Sequence, residues 1–205
     1  MKLPVPPLLV ISDRSQARHP LVEVAEAAFA GGCRWFSLRE KDLPAAERHS
    51  LLAELVAIGR RYGATITAHE DIDAVEAAGA AGVHLPGGSD PALARRRLPQ
   101  GLIGVSAHST AEATALLRAG ADYVTLSPIF LTDSKPGYGP ALGLDVLTAV
   151  AAAPGPIIAL AGITPNNAAQ CLAAGASGIA VMGEIMRAAD PEAAVRRFLA
   201  AIEKK

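Results

Sequence analysis

One phrase recurs through the chain: a small residue, a glycine, a short link, then an apolar run. It appears as AGGCRWFSL (30–38), AGAAGVHL (78–85), AGADYVTL (119–126) and AGASGIAV (174–181). Each glycine follows an Ala-rich stretch of helical period, where a residue without a Cβ suits the left-handed position that ends a helix. The apolar run behind it is too short for a helix and is continuous, as expected of a strand buried on both faces. LLVIS (8–12), TITA (65–68), LIGVSAH (102–108) and PIIALAG (156–162) are further runs of this kind. Eight strands, each followed by a helical stretch and recurring about every 25 residues, are the signature of a (β/α)8 TIM barrel, a single α/β domain over residues 1–205. A doubly wound open sheet is the other reading, but eight equivalent units without a GxGxxG turn favour the barrel.

Composition agrees: 51% of residues are hydrophobic and only 4% aromatic, which suits helices packed on a parallel sheet through Ala, Val, Leu and Ile. Nineteen basic residues against 20 acidic ones leave a net charge of -1, so no global basic field attracts nucleic acid or an anionic membrane. The apolar run in MKLPVPPLLVIS is too short for a membrane span and reads as the first strand, without a signal peptide. The expectation is a cytoplasmic protein in which Cys33 and Cys171, lacking metal-ligand spacing, are reduced thiols. The oligomeric state stays open, a homo-oligomer included.

In such a barrel the chemistry belongs at the C-terminal face, where strands end and loops begin. The polar residues at those ends are Asp13, Arg39, Lys41, His69, Glu70, His84, Ser106, His108 and Ser127, with Gly162 and Gly183 past the last two strands. The cluster Arg39-Glu40-Lys41-Asp42 therefore lies on the rim. Arg39 and Lys41 read as a grip on an anion, whereas Glu40 and Asp42 suit a solvated loop equally well. FLTDSKPGYGPALGL (130–144) is the longest stretch without a helix of its own. Its Thr132, Ser134 and Lys135 among glycines suit a flap over an anionic substrate. In AGITPNNAA (161–169), Gly162 admits backbone amides to an anion, Thr164 fits a helix N-cap, and Pro165 fits the first helical position. MGEIM (182–186) adds Gly183, and loops after strands seven and eight commonly form a barrel's phosphate site. His84 reads as a hydrogen-bonded core histidine and His108 as a mouth residue. His69-Glu70 offers acid–base or metal chemistry.

The order SLREKDL, GVHL, GVSAHS, ADYVTLSPIF with TDSKPG, ALAGITPNN and GIAVM resembles the thiamine phosphate synthase and TenI superfamily along nearly the whole chain. The resemblance implies a small-molecule transferase of thiamine biosynthesis. Such an enzyme joins hydroxymethylpyrimidine pyrophosphate to hydroxyethylthiazole phosphate and releases pyrophosphate. It implies that Arg39, Lys41, Ser106 and Lys135 hold the pyrophosphate, and that Thr132, Ser134 and Gly162 meet the thiazole phosphate. Mg²⁺ is the implied cofactor, with Glu70 and Asp90 as its ligands when the pyrophosphate contributes oxygens. Several positions depart from the family pattern. The glutamine before LREK is Ser37, the Asn-Asp pair after strand three is His69-Glu70, and Asp90 comes one place late after Pro86-Gly87-Gly88-Ser89. The serine ending the last strand is Gly183. Two alternatives follow: a TenI-type thiazole tautomerase using His69 or His108, since that branch's histidine is Pro128 here, or a non-catalytic thiazole-phosphate-binding paralogue.

Overall fold

The computed structural model of the protein describes residues 3–132, 137 and 139–203. Among them the strands are β1 (Leu8–Ile11), β2 (Trp35–Leu38), β3 (Thr65–His69), β4 (Gly82–Leu85), β5 (Leu102–Ala107), β6 (Tyr123–Leu126), β7 (Ile157–Leu160) and β8 (Gly178–Val181). The helices between and after them are α1 (Leu21–Ala30), α2 (Ala45–Arg61), α3 (Ile72–Ala78), α4 (Pro91–Arg97), α5 (Thr110–Arg118), α6 (Asp145–Ala149), α7 (Ala168–Ala173), α8 (Gly183–Met186) and α9 (Pro191–Glu203). The strands pair in parallel in chain order, and β8 closes onto β1, so the sheet is the expected closed (β/α)8 barrel.

Alternation along the strands divides the apolar residues into two bodies. Leu8, Val10, Phe36, Val83 and Val105 point outward and bury against helix residues such as Val24, Phe29, Leu52 and Phe198. Leu9, Ile11, Trp35, Leu102, Tyr123, Ile158 and Ala180 form the smaller cluster inside the barrel. The inner layer depends on a missing side chain. A Cβ on Gly104 would lie 2.0 Å from Cζ of Tyr123, so the tyrosine ring occupies that space. From there it meets Trp35 edge-on, with ring centroids 4.7 Å apart, and its hydroxyl pairs with Nδ1 of His84 at 3.1 Å.

His84 forms a polar tier above that layer. Its Nε2 is 3.0 Å from Ser106 Oγ and 3.3 Å from Thr125 Oγ1. His69 stacks on it, ring centroids 5.6 Å apart. Burial, with smaller contributions from the charges of His69 and Arg39, lowers the His84 pKa to about 3. Burial chiefly lowers that of His69 to about 4, assisted by Lys41 and Arg39 and opposed by Glu70. Both rings are thus held neutral at neutral pH.

Gly104→Ala should destabilise the fold by about 3 kcal/mol, because overpacking must displace Tyr123 and break its bond to His84. Urea unfolding of the variant measures this, and an unchanged midpoint would contradict the packing described. The histidines predict a pH dependence of definite sign. Their folded pKa values lie below the unfolded value near 6.5, so only the unfolded chain takes up these protons as pH falls below that value. Stability should be full above about pH 6.5 and fall by roughly 1.4 kcal/mol per pH unit for each histidine between about pH 6 and 5. Unfolding free energies over that range check the slope, which His84→Gln should reduce by about half.

Candidate active site

The β2–α2 loop answers the question its four charges pose. Ser12, fully buried, accepts the amide of Arg39 at 2.8 Å and fixes where the loop leaves the strand. Glu40 is only 3% exposed, and both its carboxylate oxygens accept the amide of Arg14 at 3.1 Å. The Arg14 guanidinium reaches on to Asp42, 2.5 Å from Nη2 to Oδ2. Burial raises the Glu40 pKa against these hydrogen bonds. Glu40 and Asp42 therefore tie the β2 loop to the β1 loop, and the solvated reading of Glu40 is corrected. With those acids engaged below, Arg39 and Lys41 are left on the cavity.

The cavity at the barrel mouth is about 400 Å³, within the range of small-ligand sites. Arg39, Lys41, His69, Ser106 and His108 line one side of it, and Thr132, Gly162, Thr164, Gly183 and Arg187 are also in its wall. Ser106 is positioned by the buried His84 beneath it. His108 donates from Nδ1 to the Ser127 carbonyl at 2.9 Å, and its amide donates to Glu112, on the helix capped by Ser109. The Ser-x-x-Glu spacing of Ser109 and Glu112 was a readable sign that this helix starts just after His108.

Glu70 links the cavity to the neighbouring groove. Its Oε1 lies 2.8 Å from Lys41 Nζ and 3.0 Å from His69 Nε2. The Lys41 hydrogen bond is the main reason its pKa is lowered. Glu70 also has a φ of 65°, a left-handed backbone that a residue with a Cβ adopts only at a cost, and one found repeatedly at functional sites. Asp90 lies apart from this wall: its Oδ1 accepts the Ala92 amide at 2.9 Å and caps α4. Among the described residues no group of three His, Cys, Asp or Glu is arranged to hold a metal ion. A magnesium ion beside Lys41 and His69 would have one carboxylate at hand, Glu70, which fits only with oxygens supplied by a bound pyrophosphate.

On the β7 side two expectations change. Gly162 has a φ of 63°, and a Cβ there would sit 2.4 Å from the Leu131 carbonyl oxygen and 2.6 Å from Phe130 Cβ. Its glycine is demanded by close approach of the β6 loop, independently of any ligand. Thr164 is not the N-cap of α7; that place falls to Asn167. The Asn167 side chain accepts the Thr164 amide at 2.8 Å and donates to the Gly162 carbonyl at 2.9 Å, holding the loop in shape. Gly183 opens α8 directly after β8 and lies in the cavity wall. Ser134 and Lys135 lie outside the described residues. Arg187 and Glu184 line the cavity although no motif pointed to them; the one available signal was the helical spacing of Arg187 from Gly183.

Comparison with known proteins places the chain in a family over most of its length. The family model described as thiamine monophosphate synthase matches residues 8–185. A putative thiamine-phosphate synthase of Geobacter sulfurreducens is 42% identical over 197 residues, covering 94% of this chain and 92% of the relative. A thiamine-phosphate synthase of Moorella thermoacetica is 39% identical over 193 residues, covering 93% and 92%. The solved thiamine phosphate pyrophosphorylase from Pyrococcus furiosus superposes with a TM-score of 0.87 at 31% identity, covering 96% of this chain and 95% of that one. Among the described residues no helix is long and apolar enough to cross a membrane. With a family match spanning all eight strands and relatives of nearly equal length, this chain belongs to the thiamine monophosphate synthase family.

Proposed function

We propose that this protein is a thiamine phosphate synthase, joining hydroxymethylpyrimidine pyrophosphate to hydroxyethylthiazole phosphate. The observation that carries the reading is one cavity flanked by Arg39, Lys41 and Ser106 on one side and by Thr132, Gly162 and Gly183 on another. Two substrates that each bring an anionic group need two such places.

In this reading the bond between the pyrimidinyl methylene carbon and the pyrophosphate oxygen breaks, and its electron pair leaves on the pyrophosphate. The thiazole nitrogen gives its lone pair to the methylene cation, forming the C–N bond of thiamine phosphate. Arg39 and Lys41 stabilise the charge that grows on the leaving group, and Ser106 Oγ, set by His84, offers a hydrogen bond. Lys41 exchanges Glu70 for the pyrophosphate when substrate enters. Thr132 and the loops of Gly162 and Gly183 receive the thiazole phosphate, and the family resemblance adds Ser134 there and Lys135 at the pyrophosphate. His69, held neutral by burial, and His108 complete the wall about the heterocycles. Mg²⁺ would be held by Glu70 together with pyrophosphate oxygens and would spread the leaving group's charge. Asp90, engaged at the start of α4, would be the weaker second ligand.

Incubation with both substrates should yield thiamine phosphate and pyrophosphate in equal amounts; failure to form either rejects the reading. Arg39→Ala should lower turnover roughly a hundredfold, about 3 kcal/mol of lost transition-state stabilisation, with little change in folding. Retained wild-type turnover would remove Arg39 from the site. Calorimetry should find weak Mg²⁺ binding by the free protein and much tighter binding once pyrophosphate is present. Equal affinity in both states would contradict the substrate-assisted metal.

A further inference from the structure

Arg187 ends the single turn of α8, and its amide donates to the Gly183 carbonyl at 2.9 Å. Side chains on a helix lean toward its N-terminus, so the stem of Arg187 runs back over the turn that Gly183 begins. Arg187 lines the same cavity as Thr132, Gly162 and Gly183. Where the family resemblance calls for a serine hydroxyl, this chain has only hydrogen at Gly183. The pole also carries a carboxylate, Glu184, which lines the cavity three residues before Arg187. A phosphate dianion beside Glu184 needs a cation, and Arg187 is placed to provide one. One of its contacts is with a neutral group: Nη1 donates to the Gln16 amide oxygen, while Gln16 Nε2 donates to Asp13 at 2.6 Å. A charged phosphate is a stronger acceptor than an amide and matches the guanidinium fork with two oxygens.

We propose that Arg187 is the specificity-determining cation for the phosphate of the thiazole substrate, taking over in this chain what the missing serine would contribute. The proposal rests on the synthase reading for the identity of the ligand. It separates the two anions by side: Arg39 and Lys41 serve the diphosphate, and Arg187 serves the monophosphate.

Steady-state kinetics of Arg187→Gln and Arg187→Lys decide it, with both proteins first checked for wild-type thermal unfolding. In Arg187→Gln the KM for hydroxyethylthiazole phosphate should rise roughly tenfold or more, while kcat and the KM for the pyrimidine pyrophosphate stay within about twofold. Arg187→Lys should recover part of the loss, since it keeps the charge without the fork. Calorimetry with hydroxyethylthiazole phosphate and the unphosphorylated alcohol gives an independent readout. Wild-type protein should prefer the phosphate, and Arg187→Gln should lose most of that preference. Unchanged KM and unchanged preference overturn the proposal, as does an equal rise in both KM values. If the wild-type protein makes no thiamine phosphate, the synthase reading fails by itself, and the phosphate-versus-alcohol comparison still decides the role of Arg187.

Discussion

Every functional feature of this molecule depends on the closure of eight parallel strands, because closure leaves one inward row per strand and no edge. The rows are too crowded for eight large side chains at one level. Gly104 makes room for Tyr123, and Tyr123 in turn supports His84. From there the interior changes from apolar to polar within one step along the strands. His84 then hands the hydrogen-bonding potential of the core to Ser106 at the mouth. Packing at the bottom of the barrel thus sets the orientation of a hydroxyl at the top.

The loops are held by a second device, carboxylates that accept backbone amides. Glu40 does this across two loops, with Arg14 as donor. Asp71 does it locally at α3, accepting the Ala74 amide at 2.9 Å and the Arg48 guanidinium at 2.7 Å. Charge-assisted bonds of this kind are short and directional, and they hold a rim whose cations would otherwise repel one another. In the Arg39-Glu40-Lys41-Asp42 motif the acidic residues are architectural and the basic ones line the cavity.

Much of this was legible in the sequence because the signals were local. Glycine after an Ala-rich stretch marked helix ends, continuous apolar runs marked the strands, and barrel logic placed Arg39, Lys41, His69, Ser106, Gly162 and Gly183 at one mouth. What stayed hidden needed partners far along the chain or a contest between neighbours. Glu40 was ambiguous because its donor, Arg14, lies 26 residues earlier. Thr164 and Asn167 are both good capping residues three positions apart, and only the backbone path decided in favour of Asn167. Gly162 looked like room for a ligand but is room for Phe130 and Leu131. Arg187 belongs to no motif; it comes to the mouth only because α8 is a single turn placed directly on β8.

The ion pair of Lys41 with Glu70 has a consequence for which anions the mouth accepts. An incoming chloride or orthophosphate must displace a carboxylate that is already fixed at the end of β3 and shared with His69. Such an ion gains only what it offers beyond the contacts of that carboxylate. A diphosphate attached to a heterocycle has further oxygens and a ring to offer Arg39 and the walls. The internal counter-ion therefore gives Lys41 a partner before any anion arrives, so an anion is favoured there only by the excess of its contacts over those of Glu70.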